Sequence, residues 1–142
     1  MNLYEFLESK ISHKIKTIVV YPGGFQPPHS GHLATYKLLQ KEFPKADVYV
    51  YTSNNTDKRP FNFKQKKALW NAAGVSKVIQ CKGRMYSAED FVRDAGLKNQ
   101  ESYAIVFAIS DKEKDRLNKK NFHVIEDKNN LNDITRNAYQ YI

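Results

Sequence analysis

The sequence predicts an α/β protein in which five strands form a parallel sheet covered by helices on both faces. Short runs rich in β-branched and aromatic residues recur along the chain, with apolar side chains at most positions. Segments with apolar residues at helical spacing separate these runs. Because parallel strands need crossover connections, this alternation favours a sheet whose ligands bind beyond the carboxyl ends of the strands.

The first half of the chain supplies three predicted helices and two predicted strands. Apolar residues at helical spacing predict a helix over 3–12 that packs on the domain. The run KTIVVY at 16–21 predicts a buried strand, because it ends at a Pro-Gly-Gly turn. A helix is predicted over 33–43, where the pattern stops before a proline. The run ADVYVYT predicts a strand over 46–52, and a helix over 63–73 ends at a glycine.

The second half continues the alternation. KVIQC at 77–81 predicts a third strand. Ser87 is the expected N-cap of a helix that runs through Ala95, with Asp90 at the third helical position and a glycine after its end. The most apolar strand, YAIVFAI, is predicted over 103–109. A short charged helix and a fifth strand follow at 112–120 and 122–125.

Length and composition exclude several protein classes. The 142 residues, of 16.5 kDa, predict one domain over 1–142 that folds without disulfides. One cysteine excludes an internal disulfide and a thiolate zinc site. No apolar run approaches the roughly 20 residues of a membrane span, and the N-terminus lacks the apolar core of a secretory signal, so we expect a cytoplasmic protein that binds no membrane. The net charge of +8 favours an anionic partner.

The first strand leads into residues 23–32, GGFQPPHSGH, and a helix follows. Two glycines let the backbone turn sharply and approach a ligand closely. Two prolines stiffen the loop. His29 and His32 stand three apart at the helix N-terminus, where free N–H groups and positive potential suit a phosphate, and Gly31 leaves space between the imidazoles. The segment therefore predicts an anion cradle.

Residues 23–32 resemble the signature of the nucleotidylyltransferase superfamily, the small Rossmann-like enzymes with a His-x-Gly-His motif. The superfamily loop reads G-x-F-x-P-x-H-x-G-H, and the matching positions are Gly23, Phe25, Pro27, His29, Gly31 and His32. The resemblance covers about residues 16–127 and is strong at 17–43. It implies a Rossmann-like three-layer α/β/α fold with a five-stranded parallel sheet in the order 3-2-1-4-5.

The resemblance also implies a reaction. A nucleoside monophosphate would pass from a nucleoside triphosphate, ATP or CTP, to a phosphorylated small-molecule acceptor, with release of pyrophosphate. AMP is favoured over CMP, because the loop is most similar to that of adenylyltransferases acting on nicotinamide mononucleotide or phosphopantetheine; cytidylyltransferases acting on an alcohol phosphate are also similar. Mg²⁺ would arrive with the triphosphate, and no metal ligand is expected from the protein.

Candidate site residues follow from the matched positions. His29 and His32 are the implied catalytic residues, in contact with the α- and β-phosphates and stabilising the transition state. The loop residues implied in nucleotide binding are Gly23, Gly24, Phe25, Gln26 and Gly31. Ser110 and Asp111, at the end of the fourth strand, would meet the ribose and base, although either could instead cap the following helix.

Some residues that follow the predicted strands are expected at the same edge of the sheet as residues 23–32, where they could bind the acceptor or a phosphate. They are Ser53 and Asn54 after the second strand, Arg59 in the basic stretch that follows, and Arg116 after the fourth strand. The alternative for Arg116 is a solvated helix face, which we favour. Lys64, Lys66 and Lys67 are assigned to a solvated, lysine-rich helix start, whereas Leu69 and Trp70 on the same helix are expected in the core.

The C-terminus departs from the superfamily pattern. Its members usually carry a second signature, I-S-S-T-x-x-R, that holds the β- and γ-phosphates. Here Thr135 and Arg136 are at best a remnant, so this region is expected to be missing or truncated after about residue 132. Either the chain is a piece of a longer protein or its grip on the triphosphate is altered.

Three function classes remain open. An enzyme is favoured by the matches at 23–32. A nucleic-acid-binding module is disfavoured, because the basic residues are not interleaved with aromatics in any known RNA-binding signature. A catalytically silent family member is suggested by the C-terminus. The resemblance also allows a homo-oligomer, since relatives often form homodimers or rings.

Overall fold

The computed structural model describes residues 2–3, 16–57, 59–97, 103–109, 122–124 and 138–141. Its elements in chain order are β1 (Lys16–Pro22), α1 (Ser30–Glu42), β2 (Asp47–Ser53), α2 (Phe63–Ala72), β3 (Val78–Cys81), α3 (Ala88–Asp94), β4 (Tyr103–Ala108), β5 (Phe122–Val124) and β6 (Ala138–Tyr141). Apart from Leu3, the helix predicted over 3–12 lies outside the described residues, and so does the helix predicted over 112–120.

The strands form one parallel sheet in the order β3-β2-β1-β4-β6-β5. Val19 of β1 is opposite Val48 of β2, and Ile18 is opposite Ile105 of β4. The chain order therefore reverses between β1 and β4, which makes that pair the topological switch point. The prediction of an α/β fold with a parallel, Rossmann-like sheet is confirmed, and β3, β2, β1 and β4 follow the predicted order.

The outer edge of the sheet corrects the predicted five-stranded order 3-2-1-4-5. A sixth strand, β6, lies between β4 and β5, with Tyr139 opposite Val106 of β4 and His123 of β5. Its sequence AYQY is only four residues long and includes a polar glutamine, so it lacks the apolar run by which the other strands are identified. β5 consequently occupies the edge position.

Two hydrophobic cores cover the opposite faces of the sheet. Helices α1 and α2 pack on one face, where Tyr36, Leu39 and Trp70 bury their side chains against strand valines. Helix α3 covers the other face, with Phe91 packed beside Tyr51. The predicted burial of Trp70 is confirmed at 1% exposure, whereas Leu69, expected in the core, is 42% exposed. Each face of the central strands is thus covered by a helix.

Polar caps set where the helices begin. α1 starts at Ser30 rather than Leu33, because the His29 side chain accepts a hydrogen bond from Gly31 N–H. In α2 the Asn62 and Gln65 side chains each accept from the other residue's backbone N–H, at 2.9 Å. The predicted N-cap of α3 is confirmed, since Asp90 N–H donates to Ser87 Oγ at 3.3 Å.

The carboxylate of Asp90 secures the loop between β3 and α3. Asp90 is buried, and its Oδ2 accepts from Arg84 N–H at 2.7 Å and from Arg84 Nε at 3.3 Å. Arg93 pairs with its other oxygen at 3.4 Å. The backbone N–H of Arg84, and with it the Arg84 and Arg93 charges, lowers the pKa of Asp90. Both arginine side chains are largely exposed, so the backbone bond supplies most of the stabilisation.

Replacing Asp90→Ala should lower the free energy of unfolding by about 1–3 kcal/mol at neutral pH, since it leaves the Arg84 N–H without its acceptor. Because the folded-state pKa is lowered, this stabilisation is present above the ordinary aspartate range and is lost as the pH falls through the lowered pKa. Urea denaturation at several pH values measures both effects. The exposed neighbour provides the control: Glu89→Ala should change stability by less, and an equal effect would contradict this role.

Candidate functional site

An open cleft of about 290 Å³ lies at the carboxyl rim, at the switch point between β1 and β4. Its lining residues come from the end of β1, the loop at 23–29 (hereafter the glycine loop), the first turn of α1 and the end of β4. They are Tyr21, Pro22, Gly23, Gly24, Phe25, His32, Ala108 and Ile109. Gly23 N–H donates to Tyr51 O at 3.1 Å, so the loop leaves the sheet with its first residue still paired. This is where parallel α/β sheets bind their ligands.

Phe25 anchors the glycine loop. Its φ of 49° lies in the left-handed region, which is costly for a residue with a side chain. The residue is only 6% exposed, and its ring stands edge-on to Tyr21 at 5.1 Å and to Trp70 at 5.2 Å, measured between centroids. His32 contacts the same ring at 4.9 Å. Burial of the ring therefore holds the backbone in its unusual conformation and sets the position of His32.

His29 and His32 form a stacked pair, with ring centroids 3.6 Å apart and planes inclined by 21°. Gly31 N–H donates to His29 Nδ1, and His29 N–H donates to His32 Nδ1, both at 3.1 Å. An Nδ1 that accepts a hydrogen bond carries no proton, so each neutral imidazole bears its proton on Nε2. Neither Nε2 has a partner among the described residues, which leaves two N–H donors for a ligand.

His32 is half-buried, whereas His29 is exposed. Desolvation, and after it the neighbouring charge of His29, lowers the pKa of His32. The free protein therefore favours a neutral His32 at pH 7. An anion beside Nε2 would reverse this preference, because it stabilises the imidazolium.

Two glycines of the motif lie close to functional side chains. A Cβ at Gly31 would lie 3.0 Å from His29 Cε1, so glycine makes room for the stacked imidazole. A Cβ at Gly24 would collide with Nη1 of Arg59. The Arg59 side chain is exposed and lies against the glycine loop. The predicted phosphate ligand Arg59 thus stands next to Gly24 at the same rim.

Lys66 is a site residue that the sequence interpretation missed. Assigned to a solvated helix face, it is in fact fully buried, and its Nζ donates to three oxygens beneath the glycine loop. The helical spacing contains a signal, because Phe63, Lys66 and Trp70 stand at i, i+3 and i+7 and so share one face of α2. Since Trp70 was expected in the core, Lys66 could have been placed beside it.

Three predicted site residues make structural contacts at this rim. Both ends of the Gln26 side-chain amide bond the backbone of Phe61, each at 2.8 Å. Asn54 Oδ1 accepts from Phe63 N–H at 2.9 Å, and Ser53 O accepts from Lys66 Nζ at 2.6 Å. These bonds tie the glycine loop and the end of β2 to the start of α2.

Other predicted site residues fall where the structure gives no description. Ser110, Asp111, Arg116, Thr135 and Arg136 all lie outside the described residues. Ala108 and Ile109, immediately before Ser110, line the cleft. Those five residues therefore remain sequence predictions.

The described residues contain neither a cluster of metal-binding side chains nor a membrane-spanning helix. Within the described ranges no three His, Cys, Asp or Glu side chains come together as a metal site. In the same part of the chain no helix has the length and apolar character needed to cross a bilayer.

Comparison with known proteins agrees with this geometry. Residues 20–141 match the model of the family described as cytidylyltransferase-like. The chain is also 34% identical over 67 residues to the probable nicotinate-nucleotide adenylyltransferase of Thermosipho melanesiensis. That alignment covers 42% of this chain and 34% of the relative, so the chain matches about a third of the relative's length. Because the family match includes the strands, the glycine loop and the paired histidines, this chain belongs to the cytidylyltransferase-like family.

Proposed function

We propose that this protein is a nucleotidyltransferase that transfers a nucleoside monophosphate, AMP rather than CMP, from the triphosphate to a phosphorylated small molecule. The observation that carries the proposal is the stacked pair His29 and His32, whose Nδ1 atoms are held by backbone N–H groups and whose Nε2 protons are left for a ligand. Two donors fixed at a helix N-terminus suit the oxygens of a polyphosphate. Family membership supports the class of reaction.

In this reaction the acceptor oxygen attacks the α-phosphorus in line, a new P–O bond forms, and the bond to the departing pyrophosphate breaks. Charge develops on the non-bridging oxygens and on the leaving group. His29 and His32 donate from Nε2 to those oxygens, and the positive end of α1 adds its potential. Arg59, at the edge of the loop, binds a phosphate of the acceptor or the donor. These groups stabilise charge and position the reactants without a covalent intermediate.

A magnesium ion fits this proposal as part of the substrate. No cluster of three metal-binding side chains lies in the described ranges, so the triphosphate oxygens would hold the ion there. Its chemistry would be charge neutralisation on the β- and γ-phosphates. The residues of the loop then bind and orient the complex.

The preference for AMP and the first acceptor to assay rest on similarity. The relative from Thermosipho melanesiensis is named as a probable nicotinate-nucleotide adenylyltransferase, and its match favours ATP as the donor. Nicotinate mononucleotide is therefore the first acceptor of a panel that also holds nicotinamide mononucleotide, phosphopantetheine and alcohol phosphates. Pyrophosphate release with ATP or CTP and each acceptor tests the reaction; no release with any pair would contradict it.

His32→Ala should lower the rate of pyrophosphate release by about 10²–10³-fold, the usual cost of removing a fixed donor from a developing charge. His29→Ala should act in the same direction, because the His29 ring is stacked on that of His32. Initial rates at saturating nucleotide measure the effect. His13→Ala, which lies before β1 and outside the motif, serves as the control and should keep the wild-type rate. Wild-type rates in both loop variants would contradict this mechanism.

The affinity for ATP should rise as the pH falls from 8 towards 6. Burial lowers the pKa of His32 in the free protein, whereas a bound phosphate stabilises the imidazolium, so binding takes up a proton between the two pKa values. Calorimetric titration across this range measures the slope. The variant His32→Ala shows how much of the pH dependence comes from protonation of the nucleotide itself. If the affinity of that variant changes with pH as steeply as that of the wild type, proton uptake by His32 is refuted.

A further inference from the structure

We propose that Lys66 positions the glycine loop and that its buried ammonium is the counter-charge for a polyphosphate bound on that loop. This role extends the proposed function: Lys66 matters for catalysis only if the protein is a nucleotidyltransferase. Lys66 lies outside the matched histidine loop, on the first turn of α2, and its side chain is fully buried beneath that loop.

The contacts of Lys66 join the glycine loop to the end of β2. Its Nζ donates to Gly24 O at 3.0 Å, to Thr52 Oγ1 at 2.8 Å and to Ser53 O at 2.6 Å. These three acceptors match the three N–H donors of an ammonium group. Thr52 Oγ1 also donates to Gly24 O at 3.3 Å, so the same carbonyl receives two hydrogen bonds. The position of Gly24 is therefore fixed from below.

The second observation is the charge balance. All three acceptors of Lys66 are neutral, and within the described residues neither Lys66 nor Arg59 forms an ion pair. Desolvation, and after it the charge of Arg59, lowers the pKa of the Lys66 ammonium. Burying an unpaired cation beside a second cation is costly. An anion on the glycine loop would relieve that cost, because it faces both charges across Gly24.

The peptide between Gly24 and Phe25 transmits this arrangement to the ligand. In a trans peptide the C=O and N–H groups point in opposite directions, so a carbonyl held by Lys66 directs the Phe25 N–H away from Lys66. That N–H has no partner among the described residues, and both residues line the cleft. Donation from an ammonium to the carbonyl also polarises the amide, which makes its N–H a stronger donor.

Binding of inorganic tripolyphosphate to the full chain, measured by calorimetry, tests the inference directly. Lys66→Met keeps the length of the side chain and removes its charge, and Lys66→Arg keeps the charge. Lys67→Met, at the exposed neighbouring position, is the matched control. Thermal denaturation of each variant accompanies the titration, and pyrophosphate release is measured separately.

Lys66→Met should weaken tripolyphosphate binding at least about tenfold, as expected when a charged hydrogen-bond donor is lost. Its Tm should change only slightly, because the neutral side chain of similar volume avoids the desolvation of a buried charge, which offsets the loss of the donor to three oxygens. Lys66→Arg should retain more affinity than Lys66→Met, and Lys67→Met should bind as the wild type does. A merely structural lysine would instead lower the Tm and the affinity together.

The inference is overturned if the wild type does not bind tripolyphosphate, if Lys66→Met binds it as tightly as the wild type, or if both Lys66 variants lose affinity and Tm alike. These outcomes separate it from the proposed function. Pyrophosphate release that persists in Lys66→Met would remove the role of Lys66 and leave the reaction standing. Lys66-dependent tripolyphosphate binding without pyrophosphate release from any acceptor would do the reverse.

Discussion

The buried ring of Phe25 is the contact on which the geometry of the cleft depends. It holds a backbone with φ of 49° in place by packing among Tyr21, Trp70 and His32. A left-handed conformation costs a residue with a side chain about 1–2 kcal/mol, and burial of an aromatic ring is enough to offset it. Because Tyr21 comes from β1 and Trp70 from α2, the loop inherits its shape from the hydrophobic core.

Charge is unevenly distributed around this core. At the amino end of the sheet Asp47 pairs with Lys16 and Lys77. On the α3 face Asp90 is occupied by Arg84 and Arg93. These two carboxylates are thus neutralised away from the cleft, whereas basic and N–H groups gather at its rim. Such a separation produces a positive potential at a preformed concave surface.

The sequence predicts those parts of the structure that depend on short segments of the chain. The parallel order of β3, β2, β1 and β4 follows from apolar strands alternating with helices, and the cap at Ser87 follows from its position before a helix. The short strand β6 was missed because its pairing with β4 comes from the tertiary fold and not from a local apolar run. The edge of the sheet could therefore not be ordered from the sequence.

The candidate site likewise has features that the sequence predicts and features that only the folded chain shows. The histidine motif identified the loop, but the hydrogen bonds that orient its imidazoles depend on backbone conformation. The expected nucleotide contact of Gln26 stays a prediction, and no sequence pattern indicated that its amide bonds the backbone of Phe61, 35 residues away along the chain. The burial of Lys66 likewise requires acceptors from the glycine loop and β2 to converge on α2. Such convergence is a property of the folded chain, and residue type alone does not indicate it.

The aromatic cluster behind the loop also gives the protein an internal optical reporter. Trp70 is the single tryptophan of the sequence, and its indole contacts Phe25. Together with His29 it lines a small cavity of about 200 Å³ between α1 and α2. Its Nε1 is buried without a hydrogen-bond acceptor among the described residues. Indole emission depends on such surroundings, so any rearrangement of the glycine loop would change the intrinsic fluorescence of the chain without an attached label.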